Sequence, residues 1–85
     1  MNNKLEILKK KLIYRSGYRG TKEMDILLSA FVNKNINSFD ENLLTELDNF
    51  LNFEDEVILN FYHNNIIEKG IEKNKISMIF KNFKL

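Results

Sequence analysis

The chain has 85 residues, enough for one domain spanning residues 1–85 with a thin core, since a domain this small buries only about 60–65% of the surface its unfolded chain exposes. Hydrophobic residues make up 44%, which supports one compact core and argues against disorder. Lys and Arg total 13 against 12 for Asp and Glu, which argues against a phosphate-neutralising protein, and the lack of Cys removes disulfides, thiolate metal sites and Cys nucleophiles.

The first helix is expected from about Lys4 to Arg15, with Asn3 as N-cap and Glu6 three residues on, the spacing of a capping box. Leu5, Leu8, Leu12 and Ile13 form its buried stripe, and Gly17 is placed to end it in a left-handed conformation. These first residues are Lys-rich, but a targeting peptide is poor in acids, and Glu6 with the core stripe reads as structure. A second helix starts near Gly20 or Thr21 and ends near Asn33. Met24, Leu27, Leu28 and Phe31 fall at i, i+3, i+4 and i+7, and Glu23 and Asp25 suit its first turn.

Asp40 is the expected cap of a third helix, with Phe39 and Leu44 as a hydrophobic staple and Leu44, Leu47 and Leu51 as its core stripe, widened by Leu43 and Phe50. The acids Glu54, Asp55 and Glu56 mark the start of a fourth, carrying Ile58, Phe61 and Tyr62 and stopping near Asn64–Asn65. After Gly70 a last helix is expected over Glu72 to Phe83, with Ile76, Ile79, Phe80 and Phe83 on one side. No alternating strand pattern occurs and no stretch reaches the roughly 20 apolar residues of a membrane span. The expected fold is all-α, a compact bundle of five short helices.

Catalytic constellations find little support. His63 is the one histidine, at an Asn-rich helix end with no recognisable partner motif, and reads as a solvated surface residue. No His–Glu–x–x–His run or Cys pair offers a metal site, and the three glycines form no phosphate-binding loop. The unusual segment is Tyr14-Arg15-Ser16-Gly17-Tyr18-Arg19-Gly20-Thr21-Lys22-Glu23-Met24-Asp25. It holds both arginines and two glycines three apart within a tight connection. A glycine without Cβ admits a close neighbour, an arginine can present a planar fork to a carboxylate, and tyrosines add rigid contact area. Arg15, Tyr18, Arg19, Gly20, Glu23 and Asp25 are therefore the candidate partner-binding residues. The alternative is that the glycines merely make the turn while Arg19 pairs locally with Glu23.

Arg19-Gly20-Thr21-Lys22-Glu23 resembles the Arg–Gly–x–x–Glu motif of the succinate dehydrogenase flavin assembly factors, a family with a bacterial branch and a mitochondrial one. Leu12-Ile13-Tyr14 resembles that family's first helix, and Asp25-Ile26-Leu27-Leu28 with Phe31 its second. Leu47, Phe50-Leu51, Asp55 and Phe61 sit in its later apolar–acidic–aromatic pattern. The likeness covers roughly Leu12 to Tyr62. The chain departs from the family's pattern at Gly17 and Tyr18, where basic residues are frequent, at Thr21, where a hydrophobic residue is common, and at Phe61, which stands for Trp.

The resemblance implies a chaperone-like assembly factor rather than an enzyme. Its partner would be the flavoprotein subunit of succinate dehydrogenase and, in some bacteria, that of fumarate reductase. It would promote covalent attachment of FAD while binding no cofactor tightly itself. It further implies a cytoplasmic protein in bacteria or a mitochondrial matrix protein in eukaryotes, monomeric when free, with no membrane insertion and no nucleic-acid partner. Two rivals remain from the residues. Lys9, Lys10, Lys11, Arg15, Arg19 and Lys22 around a glycine turn could form a helical nucleic-acid-binding module. A generic interaction module binding through an apolar stripe is the other.

Overall fold

A computed structural model, which describes residues 3–85, contains five α-helices: α1 (Asn3–Ser16), α2 (Lys22–Asn35), α3 (Glu41–Phe50), α4 (Asp55–Asn64) and α5 (Lys75–Lys81). Two 3-10 turns, Ile36–Ser38 and Ile71–Lys73, precede α3 and α5, and no strand occurs among the described residues. The all-α expectation and the helix number therefore hold, while several boundaries move.

Asn3 already lies inside α1, so the cap expected there sits too late in the chain; residues 1–2 lie outside the described ones. At the other end, Ser16 is buried and its hydroxyl donates to the Ile13 carbonyl at 2.7 Å. The Gly17 N–H then donates to the Tyr14 carbonyl, three residues back. That tightened last turn satisfies the helix end without a left-handed residue. The positive φ expected at Gly17 belongs instead to Gly20, at +117°.

Thr21 caps α2, its hydroxyl accepting from the Met24 N–H at 3.3 Å. The helix outlasts its expected end at Asn33 by two residues. Asn33 and Asn35 do not break it, because their amides donate to the carbonyls four residues back, Ser29 and Phe31. Asp40 caps α3 by accepting from the Leu43 N–H at 2.9 Å, and both staple residues, Phe39 and Leu44, are buried. The largest correction is at the last helix. Gly70, left-handed at φ 74°, leads into a 3-10 turn, and Asn74 begins a much shorter α5 than the expected Glu72-to-Phe83 run. Asn74 Oδ1 accepts from the N–H groups of Ile76 and Ser77, while its amide donates to the Glu46 carbonyl at 2.9 Å. A polar side chain inside an apolar pattern thus serves as a buried cap tied to α3.

Helix α1 packs on α2 and α3, and α5 packs on α3 and α4. Leu12, Met24, Leu28, Phe31, Leu44, Leu47, Ile58, Ile71 and Ile76 are sealed in the shared core. At its centre Phe80 meets Phe31 edge-on at 5.1 Å and lies 5.3 Å from Phe50 and 4.7 Å from Tyr62. Ring pairs at such spacings stabilise beyond their buried area, by about 0.5–1.5 kcal/mol each. The core thereby pins α1, α2, α3 and α4 to one another and brings the α1–α2 turn against the α3–α4 turn.

Candidate functional site

Arg19 is the keystone of that meeting point. Its Nε donates to Asp55 Oδ1 at 2.8 Å, Nη1 to the Leu51 carbonyl at 2.6 Å and Nη2 to the Phe53 carbonyl at 2.7 Å. The side chain is only 11% exposed. The two carbonyls belong to the chain between α3 and α4, where helix ends leave acceptors without helical partners. A guanidinium suits them because its donors radiate in one plane, whereas an ammonium is a compact point charge. The fork that sequence pattern alone offered to a partner carboxylate is thus committed within the chain. The local alternative, an Arg19–Glu23 pair, is also corrected: Glu23 faces His63 instead.

Arg15 makes a second clip one turn earlier. Its Nη1 pairs with Asp48 of α3, and its Nη2 donates to Asn52 Oδ1 at 2.7 Å. Both arginines of this otherwise lysine-supplied chain therefore span from the α1–α2 region to α3 and the residues after it. Asp25 completes the frame by accepting the Arg19 backbone N–H, which ties the turn to the first turn of α2.

Held from behind in this way, the turn turns its other side outward. Gly20 is exposed, and no atom lies within 4 Å of where a Cβ would stand. Its φ of +117° is one that residues with a side chain rarely adopt. The glycine is therefore required by backbone shape and leaves open space over the notch. Glu23, in the first turn of α2, is exposed, with Oε2 3.3 Å from His63 Nε2 across on α4. Tyr18 is 72% exposed and stacks on Tyr14, itself 64% exposed, with ring centres 4.5 Å apart.

Two depressions flank the notch. One, of about 400 Å³, is lined by Tyr18, Arg19, Glu54, Asp55 and Glu56. The other, of similar volume and more apolar, is lined by Glu23, Ile26, Leu27, Tyr62, His63 and Leu85. All six candidate residues thus lie on or beside one turn, but they divide. Gly20, Glu23 and Tyr18 face solvent, while Arg15, Arg19 and Asp25 hold the scaffold. Sequence reasoning missed Asp55, Asp48, Asn52 and His63 as neighbours. The legible signal was the use of arginine at two positions only.

Residues 10–84 match the Sdh5 family, described as flavinator of succinate dehydrogenase. The chain belongs to this family. Among similar proteins is the mitochondrial succinate dehydrogenase assembly factor 2 of Schizosaccharomyces japonicus, 39% identical over 54 residues, covering 64% of this chain and 38% of that protein. The protein of the same name in Arabidopsis thaliana is 46% identical over 44 residues, or 52% of this chain and 23% of the relative. In Drosophila simulans, assembly factor 2-B is 44% identical over 48 residues, covering 56% and 31%. The matched part thus spans between 23% and 38% of the length of these relatives. No solved structure matches the chain. Within this flavinator family frame, the Arg–Gly–x–x–Glu sequence divides its work: the arginine holds the turn, and the glycine and glutamate lie at the surface.

Proposed function

We propose that this chain is an assembly factor that binds the flavoprotein subunit of succinate dehydrogenase and promotes covalent attachment of FAD to it. Membership of the flavinator family supports the reading, and one geometric observation carries it. Gly20 offers a side-chain-free, solvent-open notch on a turn that Arg19 clamps from behind. A partner backbone can approach such a notch closely, with Glu23 and Tyr18 as its polar and aromatic borders. The bond to the flavin is formed by the flavoprotein and the flavin, and FAD is handled only through that partner. The assembly factor acts by contacting one arrangement of its client better than the alternatives, which is the only way binding can shift a conformational equilibrium.

The flavoprotein of fumarate reductase is a second client in bacteria with both enzymes. The factor is a monomer when free and works in the bacterial cytoplasm or, in a eukaryote, in the mitochondrial matrix. The test is co-expression of the flavoprotein with Gly20→Arg or Glu23→Ala, with covalent flavin read as fluorescence of the denatured flavoprotein in a gel. Glu23→Ala alters an exposed helix position and is expected to remain folded. Gly20→Arg meets open space but strains a backbone at φ +117°, so its fold is verified by circular dichroism and thermal unfolding, and Glu23→Ala carries the test if that variant unfolds. Covalent flavin should drop to the level found without the factor. Full fluorescence with a folded Gly20→Arg protein would sink this reading.

A further inference from the structure

The outward face of α1 breaks the pattern expected of a solvated helix surface. Ile7, Lys10, Lys11 and Tyr14 fall at i, i+3, i+4 and i+7 and so share one side of the helix. That side points away from buried Leu12 and Ser16, and all four residues are exposed, with Ile7 at 65%. An aliphatic side chain and an aromatic ring thus occupy the middle of the solvent face, with Lys4, Lys10 and Lys11 around them. Tyr18 continues the strip through its stack on Tyr14, only two residues from Gly20. Ile7 and Tyr14 stand two turns apart, or about 10 Å along the helix.

Charge on this strip is unbalanced. Of the cations between residues 4 and 22, Arg15 is matched by Asp48, Arg19 by Asp55 and Lys9 by Glu6. Lys4, Lys10, Lys11 and Lys22 have no carboxylate within salt-bridge distance among the described residues. The chain does contain a compensating excess of acid: from Asn35 to Glu68 it carries no Lys or Arg and most of its Asp and Glu. Of that acid, Asp48 and Asp55 are taken up by the two arginines, and Glu54 and Glu56 line the depression beside Tyr18, so none is paired with a lysine of α1 among the described residues. Lys4, Lys10 and Lys11, with no carboxylate in reach among the described residues, therefore rim an apolar centre that is incomplete by itself.

We infer that this strip, from Ile7 through Tyr14 to Tyr18, is a second docking surface, continuous with the Gly20 notch, that takes an acidic patch with an apolar centre on the client flavoprotein. The inference rests on the function proposed above. The tyrosines and Ile7 supply contact area that sheds water, and the lysines at the rim draw in an acidic partner and fix its register. Rim charges act mainly on the rate of encounter and are screened by salt, whereas the apolar centre acts mainly on the rate of dissociation.

Binding of the full-length chain to purified flavoprotein, followed by biolayer interferometry from low to physiological salt, tests it. Three variants are compared: Ile7→Ser with Tyr14→Ser, Lys10→Gln with Lys11→Gln, and Gly20→Arg. The first should raise Kd by about tenfold or more, chiefly through faster dissociation. The second should slow association by about tenfold at low salt and flatten its salt dependence. If only Gly20→Arg weakens binding, the strip is not a docking surface while the notch remains one. If neither Gly20→Arg nor the strip variants matter, the proposed function and the strip fall together. Sedimentation with phosphatidylglycerol vesicles is run in parallel. Loss of vesicle binding in the strip variants, with flavoprotein binding unchanged, would assign the face to an anionic membrane and overturn the inference.

Discussion

The α1–α2 turn and the connection between α4 and α5 both reverse the chain with left-handed residues, yet they are held in opposite ways. The first is fixed from a distance. Arg19 reaches residues more than thirty positions away in sequence, at Leu51, Phe53 and Asp55. The second is fixed locally. Asn65 is left-handed at φ 58°, and the Ile66 N–H returns to the Asn60 carbonyl at 3.1 Å, the six-residue bond that closes a helix end. Lys69 and Gly70 are left-handed as well, and Ile66 and Ile67 stay exposed. At its far end this loop is anchored, since Ile71 is sealed in the core and Asn74 is tied to α3. The α1–α2 turn is instead clamped at its middle by a guanidinium across three acceptors, and it is the one that carries the open glycine. A surface turn that must keep one shape needs the remote kind of restraint.

The sharpest way to break this contrast is to remove the clamp. Arg19→Ala leaves Asp55 and two carbonyls without their donors, and should lower stability by about 3 kcal/mol in urea unfolding. Arg19→Lys should restore less than half of that loss, since one ammonium cannot serve three diverging acceptors. Equal stability of the lysine and arginine proteins would show that charge, rather than the fork, holds the turn. Arg15→Ala should cost less, about 1 kcal/mol, because Asp48 and Asn52 are better hydrated. In the opposite region the sign reverses. Lys69→Gly removes the penalty of a side chain at φ 57° and should stabilise by about 0.5–1 kcal/mol, read as a raised unfolding midpoint. A destabilised Lys69→Gly protein would mean that this loop, too, depends on its side chains.

Much of the scaffold was legible from one chain of letters. The stripe Met24, Leu27, Leu28, Phe31 is buried as its spacing requires, and Asp40 caps α3 where its chemistry suggests. Asn74 was not legible. Its amide is useful only because the Glu46 carbonyl lies beside it, and that proximity is not written locally. The roles of Arg19 and Glu23 were hidden for the same reason. Both sit in a recognisable motif, but whether a charged group faces inward or outward depends on what the fold brings next to it. His63, which reads as an isolated surface residue, acquires Glu23 as a neighbour only through the packing of α4 beside α2.

By itself the sequence determined the helical period, most helix starts, the family, and the confinement of both arginines to one short connection. Those properties follow from interactions within a few residues, or from residue identity alone. Tertiary structure decided that Arg19 closes on the α3–α4 turn, that Gly20 opens to solvent, and that Ile7, Tyr14 and Tyr18 are left exposed. The clamp joins segments more than thirty residues apart and forms only when the Phe80-centred core has brought the helices together, and which helix face stays exposed is settled by what packs on the opposite one.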